Sequence, residues 1–205
     1  WCYLMKFKKQ QLFPTDLYLV DNVLEIEYID SMKLDILESA KNNPRGNWQS
    51  KPDLRKHIKY KSLVDKILQV SKMIFEDKNY IYDRFEITDM WSNILLPGET
   101  HRTHTHSNNI LSGVYYVESD SRANIQFFDP RPAAGVINPK VKEYNTGNAT
   151  AWQTDSITNR MILFPSWLQH YVPVNTSNNA RISIAFNVML RGLVGNPQDY
   201  QSAEI

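Results

Sequence analysis

The sequence predicts an α+β fold that is mainly β, with a strand and two helices first and then short strands closing into a sandwich or barrel, the helices lying against one face. Three observations predict it. Apolar residues recur at helical spacing through the first 79 or so positions. From Asp83 onward, short strand-like runs alternate with turn signals. The stretch RISIAFNVML at 181–190 alternates apolar and polar with a two-residue period.

The chain has 205 residues, 42% of them apolar and 22% charged, with a formal net charge of +1. That length suits a single domain: an N-terminal strand and helices over 5–82, a β core over 83–192 and a tail over 193–205. The balanced charge gives no bulk attraction to nucleic acid or an anionic membrane, so neither is an expected partner. The basic stretch Arg55–Lys61 then reads as a solvated face. The lone Cys2 excludes an internal disulfide and suits a reducing, cytoplasmic setting. No apolar run approaches the roughly 20 residues of a membrane span. Met5 reads as a native initiator, with residues 1–4 an added remnant and no signal peptide.

Leu17–Val20 has strand character. Ile29, Met32, Ile36, Leu37 and Ala40 form one helical face, which the turn residues of KNNPRGN (41–47) end. Val64, Ile67, Leu68, Ser71, Ile74 and Phe75 form a second helical face, ending near Asn79. Strand-like runs follow at Arg84–Leu96, Asn109–Glu118, Asn124–Asp129, Met161–Pro165, Leu168–Pro173 and Arg181–Leu190. Pro130 to about Gln153 is the longest irregular piece, of the kind that more often serves function than support. The final strand puts Ile182, Ile184, Phe186, Val188 and Leu190 on one face and Arg181, Ser183, Ala185 and Asn187 on the other. The polar face lies either in water, as in most antiparallel sheets, or inside a barrel mouth around a ligand.

Three of the five histidines stand in HRTHTH at 101–106. On a strand, His104 and His106 point to one face, and two such imidazoles with a third ligand can hold a divalent transition metal. A pair of surface histidines is the plainer reading. Of the other two, His57 lies in the basic run RKHIKYK, whereas His170 lies in LFPSWLQHYVP, where burial is expected. His101 has the opposite strand parity to His104, which places it beside the metal's ligands or in solvent.

His104-Thr-His106, then His170, then Arg181 eleven residues on, is similar to the Fe(II)/2-oxoglutarate dioxygenase pattern, His-x-Asp/Glu…His…Arg on a double-stranded β-helix (jelly roll). NILSGVYYVES, NIQFFDPR, ILFPSWLQHYVPV and RISIAFN resemble successive strands of prolyl-4-hydroxylase-like members. With LFPTDLYLV and the WSN before the metal pair, most of residues 11–190 resembles the 2OG-Fe(II) oxygenase family of bacteria and phages. The resemblance implies Fe(II), 2-oxoglutarate as cosubstrate, O2, and hydroxylation of a small-molecule or peptide substrate coupled to decarboxylation of 2-oxoglutarate to succinate. It implies His104, His106 and His170 as metal ligands, with histidine at 106 where the superfamily usually has a carboxylate. The alternative keeps His106 at the flank, with water or Glu99 completing the set.

The family's Arg-x-Ser maps onto Arg181 and Ser183. A guanidinium can donate two parallel hydrogen bonds to the carboxylate of 2-oxoglutarate that lies far from the metal. Related hydroxylases use the second tyrosine of a pair such as GVYYV for the same carboxylate, which implicates Tyr116. Asn187, which shares Arg181's face, and Asn93 and Trp91, which precede the metal motif, stand where they could reach substrate or support the ligands. Pro130, Arg131, Tyr144, Trp152 and Trp167 offer a lid or a substrate edge. Two rivals remain: a three-histidine, cupin-like dioxygenase acting without 2-oxoglutarate, and a non-enzymatic β-sandwich binding module.

Overall fold

Each expected element forms, and among the described residues five strands join them that no periodicity announced. In the computed structural model, which describes residues 5–41, 46–120 and 124–205, β1 (Tyr18–Asp21) leads into α1 (Ile26–Ala40). A two-residue strand, β2 (Trp48–Gln49), precedes α2 (Lys61–Asp77). The helices bury Ile29, Met32 and Ile36 of α1 and Leu63, Ile67, Ile74 and Phe75 of α2, so the helical spacing read from the sequence marks the packed faces. Leu37, expected on the buried face, is 40% exposed at its edge. Residues 1–4, including Cys2, and part of the KNNPRGN turn lie outside the described residues.

After the second helix come β3 (Arg84–Leu95), β4 (His101–His104), β5 (Leu111–Glu118), β6 (Ile125–Phe128), β7 (Ala151–Thr154), β8 (Arg160–Pro165), β9 (His170–Val172), β10 (Arg181–Arg191) and β11 (Leu193–Asn196). The expected tail is instead a hairpin, in which β11 pairs with β12 (Gln201–Glu204). The turn between them sets Tyr200 at a φ of 56°. The irregular stretch after Asp129 is interrupted by β7, which pairs with β6.

Six strands form a sheet in the order β1-β8-β5-β10-β3-β2, and four form a second in the order β4-β9-β6-β7. Every pairing within them is antiparallel. From β3 to β6 the chain alternates between the sheets, and from β7 to β10 it does so again. This double winding is the double-stranded β-helix, a mainly β fold with two helices added.

The long central strand β10 pairs with β3 on one side and β5 on the other. Its even-numbered residues Ile182, Ile184, Phe186 and Val188 belong to the main core, which includes the buried faces of α1 and α2. Gly113 lies opposite Phe186, and a Cβ there would sit 2.3 Å from Phe186 Cζ; only glycine lets that ring cross the neighbouring strand. The other face of the sheet meets the four-stranded sheet around a smaller cluster of Val114, Tyr116, Ile125, Phe127, Ile162, Phe164 and Leu168. Arg181, Ser183 and Asn187 are buried on that inner side at 5%, 1% and 6% exposure. The polar face of the last strand therefore lies inside the fold, not in water. Among the described residues no helix is long and apolar enough to cross a membrane.

Candidate metal and cosubstrate site

The site is built where the two sheets face each other. His104 ends β4, and its register partner is His170, the first residue of β9. The regular strand expected to carry both members of the His-x-His pair stops at His104. His106 lies two residues beyond, its backbone N–H donating to Ser166 O at 2.9 Å. The three rings still converge, with centroid separations of 4.3 Å (104–170), 5.0 Å (104–106) and 5.2 Å (106–170). One ring nitrogen from each lies within 4.8 Å of the others. That donor set matches a single divalent transition metal held by imidazoles.

The local backbone orients two of these rings. His104 Nδ1 lies 2.8 Å from Arg102 O, and His170 Nδ1 lies 2.9 Å from Leu168 O. A carbonyl can only accept, so each Nδ1 carries the proton and each Nε2 keeps its lone pair. Burial, reinforced by the neighbouring imidazoles, holds His106 down to about 3. Burial likewise brings His170 to about 4, against the contrary pull of its bond to Leu168 O. Both rings are therefore neutral at pH 7, the form in which imidazole ligates a metal.

His101 departs from its expected parity. Between His101 and His104 the register with β9 shifts, three steps along β4 matching two along β9. This bulge turns His101 toward the cluster, 4.9 Å centroid to centroid from His104. It lines the same cavity, with its Nδ1 3.5 Å from Asn47 Oδ1. Glu99 takes the opposite course. Its Oε2 accepts the backbone N–H groups of Leu96 (2.7 Å) and Asn47 (2.9 Å), so this carboxylate braces the connection before β4 and is absent from the imidazole cluster.

Arg181 opens β10, with Ser183 two residues on, and both line the cavity that holds the histidines. Arg181 forms no ion pair among the described residues, and its buried Nε has no hydrogen-bond partner. Among the described residues it makes one long hydrogen bond, from Nη1 to Ser183 Oγ at 3.4 Å. The guanidinium sits 4.9 Å from the centroid of the Tyr116 ring, and the Tyr116 hydroxyl is also buried without a partner. Tyr116 is in register with Ser183, whereas Tyr115 points to the helices and donates to Asn159 Oδ1 at 3.0 Å. An unpaired cation and an unpaired hydroxyl, both buried, make a cradle that a carboxylate would complete.

The remaining expected residues divide. Asn93 and Trp91 line the cavity. Asn187 does not. It accepts from Ser112 Oγ (2.8 Å), which also bonds Ser166 Oγ (2.7 Å), the residue whose carbonyl holds the His106 backbone. Tyr144, Trp152 and Trp167 are exposed, and none of them lines the cavity. Its outer wall comes instead from Asn47 and Gln49, around β2. A two-residue strand carries no readable period, so no sequence signal marks either residue.

Residues 89–187 match the family model described as "Putative 2OG-Fe(II) oxygenase". Among curated proteins, none matches by sequence. Solved structures match across most of the chain. A prolyl-4-hydroxylase of Pseudomonas putida aligns with TM-score 0.60 and 11% identity, covering 87% of this chain and 89% of its own. HygX from Streptomyces hygroscopicus, with nickel and 2-oxoglutarate bound, aligns with TM-score 0.59 and 11% identity over 93% and 91%. The non-heme α-ketoglutarate-dependent epimerase SnoN from nogalamycin biosynthesis aligns with TM-score 0.64 and 9% identity over 87% and 80%. At these identities the likeness is one of fold. The family match favours the oxygenase reading over both rivals.

Proposed function

We propose, from the match of residues 89–187 to the 2OG-Fe(II) oxygenase family model, that the chain is a hydroxylase whose iron is held by His104, His106 and His170. The observation that carries this reading is the convergence of three ring nitrogens within 4.8 Å beside a buried, unpaired guanidinium. Bound iron(II) with 2-oxoglutarate and O2 supplies the oxidising power, one oxygen atom going to the substrate and 2-oxoglutarate leaving as succinate and CO2.

The chain's own residues bind, orient and shield. Arg181 would donate to the far carboxylate of 2-oxoglutarate, Ser183 would add its hydroxyl, and the unpartnered Tyr116 hydroxyl would donate beside them. The carbonyls of Arg102 and Leu168 fix the tautomers of His104 and His170, so both present Nε2 without reorganisation. Trp91 and Phe164 flank the His106 ring, at 6.0 and 6.3 Å between centroids, and keep water from that side. Histidine at 106 fills space that a halide would need, which favours hydroxylation over halogenation. It also leaves the metal about one unit more positive than a carboxylate would, which strengthens the pull on a dianionic cosubstrate.

Anaerobic addition of Fe(II) and then 2-oxoglutarate should raise the visible charge-transfer band of the chelate. Arg181→Ala should weaken 2-oxoglutarate binding while leaving iron bound. With a turned-over substrate, mass spectrometry should find one added oxygen atom. An unchanged mass would point to epimerisation, and loss of two hydrogens to ring closure. A wild-type protein that forms no band would refute the ligand set.

A further inference from the structure

The wall of the cavity opposite the four-stranded sheet carries a pair of amides with a fixed polarity. Trp91 Nε1 can only donate, and it points at Asn93 Oδ1 at 3.2 Å. That contact settles which end of the Asn93 amide is oxygen. Gln49 then presents its nitrogen to the same oxygen, Nε2 to Oδ1 at 2.8 Å, across the register pair that joins β2 to β3. Two groups are left over: Asn93 Nδ2, a donor, and Gln49 Oε1, an acceptor. Neither has a partner among the described residues, and both residues line the cavity of the histidines. Asn47 extends the wall, its amide held by Nδ2 donating to Thr100 O at 3.2 Å.

Among the described residues the wall is also uncharged: no aspartate, glutamate or lysine of theirs lines the cavity, and their one permanent side-chain charge there is Arg181. A charged substrate would have no partner here other than the group that the cosubstrate needs, and burying an unpaired charge is costly. We infer that Gln49 and Asn93 form the substrate-recognition wall, and that it takes an uncharged molecule presenting a donor and an acceptor side by side, as a carboxamide does. The inference rests on the reading of the cavity as an oxygenase site. Through Gln49 it places part of the specificity on a strand outside the family-matched segment 89–187, the other part being Asn93 within it. The competing use of the same atoms is the cosubstrate, because Asn93 also pairs in register with Ser183.

Calorimetric titration of the anaerobic protein loaded with Fe(II) and 2-oxoglutarate tests this, using a panel of Nα-acetyl amino-acid amides and the same amino acids in free, zwitterionic form. Uncharged members should bind and their charged counterparts should not. Gln49→Leu should weaken the tightest amide about tenfold, the worth of one hydrogen bond, while 2-oxoglutarate affinity and the chelate band stay unchanged. Asn93→Leu should do the same to the amide. The inference is overturned if no uncharged member binds, if charged members bind as well, or if Gln49→Leu loosens 2-oxoglutarate instead. Absence of the chelate band in the wild type would refute the oxygenase reading separately, because amide binding is measured by heat and not by turnover.

Discussion

The two faces of the six-stranded sheet are made by the same strands, yet they do opposite work. The outer face is apolar and closed: Tyr115, Met161, Ile184, Phe186 and Val188 are all fully buried against or beside the helices. The inner face is buried to a similar degree but holds Ser112, Arg181, Ser183 and Asn187 among its aromatics. Of the four buried side-chain atoms without a partner among the described residues, Tyr116 Oη and Arg181 Nε are on the inner face. Burial alone therefore does not separate stability from function here. Satisfaction separates them better: the strands' outer face pairs its buried Tyr115 hydroxyl with Asn159, though Ser71 Oγ of the helix packed there is unpaired, whereas the inner face keeps Tyr116 Oη and Arg181 Nε for what binds.

The strongest challenge to that division is Phe186→Ala. The ring is fully buried and fills the space left by Gly113, so its removal should destabilise the fold by about 3–5 kcal/mol. Metal affinity of the molecules that remain folded should not change. Urea unfolding read beside metal titration checks both, and a loss of metal affinity in folded protein would break the division.

His170→Ala is the converse. Removing supporting groups around metal ligands typically costs about 10–100-fold in affinity. Removing a ligand should therefore cost more than about 100-fold. Apo-protein stability should also fall, by about 2–5 kcal/mol, because the buried ring that packs against Phe164 and Phe127 leaves a cavity. Thermal unfolding with and without Fe(II) separates the two quantities. A variant that keeps its metal-induced shift would remove His170 from the ligand set.

The adjacent tyrosines sharpen the comparison within one strand. Tyr115→Phe loses the bond to Asn159, whose amide also holds Leu24 N–H and C=O just before α1. It should cost about 1 kcal/mol of stability and leave 2-oxoglutarate binding alone. Tyr116→Phe removes a buried hydroxyl with no partner, so stability should hold or rise. Its effect should appear as weaker 2-oxoglutarate binding, by about tenfold. Equal stability losses in the two variants would erase the distinction.

The outer face was legible in the sequence because periodicity reports packing: the spacing from Ile29 to Ile36 and the alternation of Ile182 to Val188 mark the residues that meet. The inner face was legible only through motif order, since alternation could not say whether Arg181 and Ser183 face water or a ligand. Two features escaped both signals. The bulge in β4 reverses the side on which His101 lies, and a one-residue shift in register leaves no mark in composition. The wall formed by Gln49 depends on a two-residue pairing between segments 44 positions apart, which tertiary packing alone decides.

The rim of the sheet supplies the smallest effect and a control for both faces. Asp21 on β1 accepts two hydrogen bonds from Arg160 on β8, Nε to Oδ1 at 2.6 Å and Nη2 to Oδ2 at 3.0 Å. This guanidinium holds the Asp21 carboxyl below its ordinary range. A carboxylate with a depressed folded-state pKa contributes stability above its unfolded value and loses it as pH falls through the folded one. Asp21 is half exposed, with 55% of its side chain accessible, so solvent screens the pair. Asp21→Asn should therefore destabilise by less than about 1 kcal/mol at pH 7. The gap between variant and wild type should close as pH drops below the usual carboxylate range, about 4. Urea unfolding at several pH values measures that gap, and one that persists at low pH would show that the aspartate acts through packing and not through charge.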